Sequence, residues 1–303
     1  MKIAIVSLAD KNYFHLLNEL IDSINYHPES NNVHICILDG GLDKDQVQTI
    51  EKKVHKIKKP KLNFKIDRWG IKNKPYLEGI CARLFLRDIF PDYDKYIWID
   101  SDAWINSWIA IDHLLEASSH GKLAVSSMSD RHTSRVLRVK WIFKNLAIVK
   151  SQNFKHSSSS GFSLEASRFV GLQPHLNAGV FCLDKDSVFW EAWLKNFLIA
   201  IKKGRVFGSD QIALNITVYR DKHKVDIVPY YCNWIPNIKN TKYNNILKKF
   251  VEGYTPHHEI GIMHLAGGVF VNNKDMRFDK NILGEIFTTQ GQLIKKSFRF
   301  SFK

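Results

Sequence analysis

With 303 residues, 45% of them hydrophobic and 8 of them Trp, the chain can form one large α/β domain or two small ones around a substantial core. Its four cysteines, Cys36, Cys81, Cys182 and Cys232, are far apart with no CxxC pair, which argues against a disulfide frame or a zinc site, and no run reaches the roughly 18 apolar residues of a membrane span. A net charge of +14 calls for an anionic partner: nucleic acid, phosphorylated glycan, anionic lipid or nucleotide.

In chain order the apolar pattern alternates between strand and helix. Residues 3–8 read as a first strand rather than a leader peptide, and residues 13–25 as an amphipathic helix. Residues 33–38 form a second strand ending in Asp39-Gly40-Gly41, followed by a helix over 46–58 and a third strand over 62–66. A helix over 77–90 is stopped by Pro91, and a fourth strand covers 96–99. Such alternation predicts a mainly parallel sheet with helices on both faces, and ligands in such sheets lie beyond the carboxyl ends of the strands. Residues 157–160, four serines, read as a flexible loop into the second half.

The fourth strand carries the most telling motif. Asp100-Ser101-Asp102 sits between Tyr96-Ile97-Trp98-Ile99 and Ala103-Trp104-Ile105, so two carboxylates two residues apart leave a buried strand together. Burying them is costly without a cation, and hard oxygen ligands suit Mg²⁺ or Mn²⁺ with positions left for phosphates. Three other Asp-x-Asp strings serve as controls. Those at Asp43/Asp45 and Asp92/Asp94 look like polar turns, and Asp184 reads as the N-cap of a helix running through Trp190 and Trp193.

Three later segments matter. Asn177-Ala178-Gly179 feeds a buried strand, Ser209-Asp210-Gln211 stands where a helix begins, and Ile262-Met263-His264 is an apolar strand ending in His, followed by Gly267-Gly268. Taken singly, each has an ordinary structural reading: an N-cap, a satisfied core histidine, a turn.

Together and in this order they resemble glycosyltransferase family 8, retaining enzymes of the GT-A fold, and most closely the bacterial lipopolysaccharide α-galactosyl/glucosyltransferases. The resemblance runs from residue 3 to about residue 268. It implies a Rossmann-like mixed sheet and a UDP-sugar donor. Ala9, Asp10 and Asn12 match the loop that contacts the uracil, Arg83 the arginine that reaches the donor, and Asp100, Ser101 and Asp102 the metal motif. Asn177 and Ala178 match the segment that holds the donor sugar, Asp210 and Gln211 the pair beneath its anomeric carbon, and His264 the third protein ligand of a Mn²⁺ (or Mg²⁺) ion, with Gly267 after it. One departure stands out. The family's lysine after that glycine, which touches the diphosphate, is displaced here by four positions to Lys274, and the Pro-Trp that follows it is absent; Arg277 or Lys280 are other bases within reach.

The resemblance implies a metal-dependent retaining transfer of a hexose from a UDP-sugar to a hydroxyl of a glycan. The acceptor class it implies is lipopolysaccharide, lipooligosaccharide or another surface glycan. Gln211 is a feeble nucleophile, which favours front-face attack with the glutamine carbonyl stabilising positive charge. Rival readings are a non-catalytic nucleotide-sugar or glycan-binding relic of the same fold, a basic nucleic-acid-binding protein, and an inverting transferase with a carboxylate base. Nucleic acid is disfavoured: no zinc-finger spacing and no RNA-recognition signature occur, and the acidic pair on a buried strand is unexplained by it.

The positive charge is local. No acidic residue falls between positions 131 and 164, a stretch with Arg131, Arg135, Lys140, Lys144, Lys150 and Lys155, and residues 295–303 alternate base and phenylalanine. Both segments point to an anionic membrane surface and a phosphate-bearing glycan or glycolipid acceptor, hence a cytoplasmic enzyme peripheral to the inner face of the cell membrane. The sequence divides as residues 1–270, the GT-A domain, and residues 271–303, a basic and aromatic tail.

Overall fold

Charge-free runs of β-branched and aromatic residues make poor surface, and they form the middle of a seven-stranded sheet buried on both faces. The computed structural model describes residues 1–60, 79, 81–130, 137–203 and 206–301. The sheet contains β1 (Ile3–Ala9), β2 (His34–Asp39), β3 (Lys56–Lys58), β4 (Lys95–Ile99), β6 (Leu123–Ser127), β9 (Leu176–Asp184) and β10 (Val225–Val228), in the order β10-β6-β9-β4-β1-β2-β3. All neighbours are parallel except β9, which runs antiparallel to both β4 and β6. The mixed, mainly parallel α/β sheet read from the sequence is therefore present.

Side-chain alternation along β4 divides the core. Tyr96 and Trp98 join one apolar cluster with Phe181, Trp190 and Trp193, while Ile97 and Ile99 join another, with Leu17, Leu20 and Val180, on the opposite face. The first cluster is covered by α7 (Phe189–Lys203) and α8 (Ser209–Tyr219), the second by α1 (Phe14–Asn25) and α4 (Ile109–Ala117). All four cysteines are buried and free. Among the described residues no helix is long and apolar enough to cross a membrane.

Several boundaries differ from the sequence reading. Helix α2 spans Lys44–Glu51, not 46–58, because Asp43 and Gln46 form a capping box and the chain beyond returns to the sheet through the His55 N–H on Ile35 O (2.9 Å). The strand read over 62–66 lies outside the described residues, as does most of the start of the helix read over 77–90. The rest of that helix is a 3₁₀ turn, Ala82–Phe85, and one α-helical turn, α3 (Leu86–Ile89). Asp184 is no helix cap. It ends β9, binds Lys95 and accepts the Gly121 N–H (3.0 Å), so it ties the sheet edge to a neighbouring turn. The serine run is no flexible loop either: Ser157 is fully buried in α5 (Gln152–Ser158), with its hydroxyl on Asn153 O (2.7 Å).

Two pieces flank the sheet. Strand β5 (Ala103–Ile105) pairs antiparallel with β13 (Ile262–His264) above a third cluster that contains Trp104, Trp234, Phe250, Met276 and Phe298. Residues 271–301, read as a tail, pack onto this cluster through β16 (Gly284–Phe287) and β17 (Leu293–Lys296). Phe298 is fully buried, and Arg299 pairs with Glu19 on α1 at 2.6 Å. The basic stretch forms a separate two-stranded ribbon, β7 (Leu137–Phe143) and β8 (Leu146–Ser151), which runs into α5.

Candidate active site

Strands β1 and β4 are parallel neighbours, so their carboxyl ends, Ala9-Asp10 and Asp100-Ser101-Asp102, share one edge. β9 is antiparallel to β4, and its amino end therefore reaches the same edge: the Asp100 N–H donates to Gly179 O at 2.8 Å. The β5–β13 pairing adds the last piece. Ala103 sits opposite His264, which brings His264 Nε2 to 3.2 Å from Asp102 Oδ1 and 3.8 Å from Asp100 Oδ2. One ligand atom from each of the three residues lies within 4.8 Å of the others.

Neighbouring groups orient all three. Asn233 uses its amide NH₂ on Asn177 Oδ1 (3.3 Å), so its oxygen faces His264 Nδ1 at 2.7 Å and accepts a hydrogen bond from the Nδ1–H. That fixes the tautomer with the Nε2 lone pair aimed at the two carboxylates. Asp100 uses Oδ1 on Trp98 Nε1 (2.7 Å) and Arg83 Nη2 (3.2 Å) and leaves Oδ2 facing the gap. Burial pushes the Asp100 carboxyl above its usual range. For Asp102 burial acts the same way but is outweighed by His264, and its carboxyl titrates low; His264 in turn is held high by Asp102 against the effect of burial.

The gap is kept open by a missing side chain. A Cβ on Gly179 would stand 2.4 Å from His264 Cε1, 2.8 Å from Asn177 Oδ1 and 2.9 Å from Asp100 Oδ2. Two carboxylate oxygens and an imidazole lone pair within 4.8 Å of one another fit a small divalent cation, and Gly179 leaves the Asp100–His264 side of that cluster free of a side chain. The other Asp-x-Asp strings are spent otherwise: Asp43 caps α2, Asp92 pairs with Lys56 (2.5 Å), and Asp94 accepts the Lys2 N–H (2.7 Å).

A second group adjoins the first. Buried Arg83 lies over the Trp98 ring (4.7 Å to its centre), donates to Ala178 O (2.8 Å), and stands 3.4 Å from Asp210 Oδ2, thereby bridging Asp100 and Asp210. Asp210 is in the first turn of α8, whose N-cap is Gly208, so it is an ion-paired buried acid and not a cap. Gln211 Oε1 faces the Ala178 N–H (3.3 Å), and its amide lies 2.5 Å from His175 Nε2. His175 Nδ1 is 2.5 Å from Asn153 Oδ1, and the Asn153 NH₂ is engaged by Val170 O and Gln173 O. The Asn153 oxygen must accept, so Nδ1 carries the proton and Nε2 accepts from the Gln211 amide. Burial, aided by His156, drives the His175 pKa down to about 3, which keeps the ring neutral. Asn177 turns its oxygen inward to the Gly179 N–H (2.7 Å) and Asn233 and so supports the cluster of Asp100, Asp102 and His264. His175, Asn153 and Asn233 carried no motif signal, because only the folded chain brings them here.

The match that decides the family covers residues 4–255, over which the chain fits the description Glycosyl transferase family 8. The chain belongs to this family. The glycosyltransferase match ends before His264, whose place as a candidate ligand rests on the β5–β13 pairing. No protein of curated function matches the sequence. Among solved structures, this family 8 chain is similar to galactosyltransferase LgtC in complex with donor and acceptor sugar analogues, at 14% identity, TM-score 0.52 and 87% coverage of each chain. An active-site mutant of LgtC gives 14% identity, 87% coverage of each chain and TM-score 0.50. The bifunctional glycosyltransferase WbbM gives 15% identity and TM-score 0.52; the match covers 91% of this chain but only 48% of WbbM. At such identities the likeness concerns the GT-A fold.

Of the remaining family 8 positions, Asp10 holds the loop after β1, accepting from the Asn12 N–H (3.0 Å) and Tyr13 N–H (3.1 Å), with its other oxygen on the Asn12 amide (3.2 Å). Ser101 is buried in the turn between the two acids, and Gly267 adopts φ +74 with open space around it. Lys274 makes no described contact with Asp100, Asp102 or His264. It is exposed on a small hairpin, β14 (Phe270–Val271) and β15 (Lys274–Asp275), turned by Asn272 and Asn273 at positive φ. The base that arrives instead is Arg277, 3.8 Å from Asp102 Oδ2, 2.8 Å from Asp275 and 3.4 Å from the Tyr13 hydroxyl.

Proposed function

We propose that this glycosyltransferase moves a hexose from a UDP-sugar, with retention of configuration, to a hydroxyl of a glycan acceptor, lipopolysaccharide, lipooligosaccharide or another surface glycan. The observation that carries the reading is the convergence of Asp100, Asp102 and His264, with Gly179 beside Asp100 and His264 and with Arg83 joining Asp100 to Asp210, the neighbour of Gln211. Mixed oxygen and imidazole donors suit Mn²⁺, or Mg²⁺ with lower preference. Held by these three residues, such an ion supplies Lewis-acid stabilisation to a departing diphosphate without proton transfer.

The chain's own groups complete the chemistry. Arg277, its Nε and Nη2 held by Asp275, presents its Nη1 toward the acids and offers the diphosphate a cation there, in the part that the resemblance gives to a lysine. Asp10 and Asn12 lie on the same edge to receive the base, and Ala178 and Asn177 border the sugar. Asp210, neutralised by Arg83, holds that arginine in place. Gln211 has its NH₂ committed to His175, so the group it can offer is the carbonyl oxygen, whose partial negative charge favours an oxocarbenium-like sugar. The acceptor hydroxyl then attacks from the leaving-group side, and the departing phosphate oxygen takes its proton.

The test is a panel of UDP-sugars scored for UDP release with Mn²⁺ and with EDTA, on the wild type and on Asp102→Ala, with the anomeric configuration of the product read by NMR. Mn²⁺-dependent release, lost in the variant, and a retained anomer support the reading. Full turnover in EDTA removes the metal role, an inverted product removes the retaining mechanism, and binding of UDP-sugar without release makes the chain a binding relic.

A further inference from the structure

The ribbon β7–β8 has an unusual surface. Its register pairs Val139 with Val149 and Trp141 with Ala147, so these four side chains share one face, whereas Lys140 opposite Ile148 belongs to the other, along with Lys150. The tip carries Phe143 opposite Leu146, with Lys144 between them. Trp141 is 66% exposed and Phe143 70%, and Val139 and Val149 are each more than half exposed. A lone two-stranded ribbon is barely stable in water, and a contiguous apolar face of this kind marks a surface that something covers.

We propose that this ribbon is the membrane-docking element of the enzyme, entering the headgroup region of an anionic bilayer tip first. Charge selects the occupant. Lys140, Lys144 and Lys150 are exposed around the apolar residues, and no acidic residue occurs between positions 131 and 164. A lysine-rimmed aromatic tip fits an anionic lipid surface, where rings lie at headgroup level and ammonium groups reach the phosphates. A second copy of the ribbon would bring like charges together, and a nucleic acid would leave the apolar face in water. The segment 295–301, read from the sequence as a membrane contact, is committed to the fold through Phe298 and Arg299.

The ribbon also leads into the catalytic machinery. Two residues past β8, Asn153 hydrogen-bonds His175, which holds Gln211. Docking by the tip would therefore hold the Gln211 side of the crevice at the foot of the ribbon, six strand residues or roughly 20 Å from the bilayer, a distance that the glycan of a lipid-linked acceptor on the inner face of the cell membrane would have to span. That last step rests on the transferase reading above.

The test is co-sedimentation with vesicles of phosphatidylcholine alone and of phosphatidylcholine mixed with phosphatidylglycerol. Four proteins are compared: wild type, Trp141→Ser with Phe143→Ser, Lys140→Gln with Lys144→Gln and Lys150→Gln, and a control with the same charge loss elsewhere, Lys44→Gln with Lys222→Gln and Lys224→Gln. Wild type and control should bind the anionic vesicles in a salt-sensitive way, and each ribbon variant should bind about tenfold more weakly. UDP release in solution, recorded on the same samples, should be unchanged and shows that the variants are folded. Equal binding by all four proteins overturns the proposal, as does equal wild-type binding to both vesicle types. So does a wild-type dimer that the ribbon variants render monomeric. Ribbon-dependent vesicle binding by a protein that releases no UDP leaves the docking surface standing and removes the transferase reading instead.

Discussion

Gly179→Ala isolates the metal edge from the rest of the fold. The backbone at Gly179 is one any residue adopts, so the substitution adds only a methyl group, 2.4 Å from His264 Cε1 and 2.9 Å from Asp100 Oδ2. Contacts under 3 Å must relax. The atoms that can yield are the imidazole, fixed on its other side by Asn233, and the carboxylate, tethered to Trp98 and Arg83. Overpacking of this kind costs about 1–3 kcal/mol of stability, and moving a ligand off its oriented position costs about 10–100-fold in metal affinity. A Mn²⁺ activation curve with UDP-sugar in excess should shift to higher metal by that factor while the donor KM at saturating Mn²⁺ moves little. Gly267→Ala is the companion variant. Its Cβ meets nothing, but its φ of +74 penalises a side chain by roughly 1–2 kcal/mol, so Tm should fall with the Mn²⁺ curve in place. If Gly179→Ala keeps the wild-type Mn²⁺ requirement, the space above Gly179 does not hold the cation.

Proton and metal compete for the same atoms, so the Mn²⁺ concentration for half activation should rise as pH falls through the raised His264 value. In EDTA the sign reverses. The stability drawn from the His264–Asp102 contact is fully present below the ordinary imidazole pKa and is lost as pH climbs through the raised one, which thermal melts across pH will show. His175→Phe removes the acceptor for the Gln211 amide; kcat should drop about tenfold with donor KM within about twofold, and a matching drop in donor affinity would make Gln211 a binding residue only. Arg277→Ala should raise the donor KM about tenfold, Arg277→Lys less, and Lys274→Ala hardly at all; the reverse ranking would return the diphosphate to Lys274.

What the sequence made legible was whatever is written along one strand. The acid pair is flanked by runs whose burial needs no partner to predict, and the segments at Asn177, Asp210 and His264 each sit at the end of a local pattern. Groups whose meaning depends on a distant neighbour stayed hidden. Asn233 is an ordinary polar residue until β13 brings His264 against it, and Asn153 an ordinary helix residue until His175 arrives. Asp184 resembled a cap because the helix after it was plain, whereas the lysine that claims it is far back on β4. The C-terminal segment read as a tail for the same reason, its phenylalanines having no visible core until Trp104 and Phe250 gather around Phe298. Bases mixed with apolar residues such as Trp141 and Phe143 drew notice to the ribbon, but not its fold, although Val139-Lys140-Trp141 already alternates with a period of two.

The reversed strand β9 and the late strand β13 also govern when the site comes into being. Asp100 and Asp102 leave the ribosome before either partner: Gly179 beside them belongs to β9, and the imidazole that faces them belongs to β13, later still in the chain. No amino-terminal fragment that stops short of β13 contains the ligand set. The nascent chain thus carries Asp102 on a growing sheet, beside an Asp100 already paired with Arg83, and the three-residue cluster closes only once β13 has emerged to bring its imidazole.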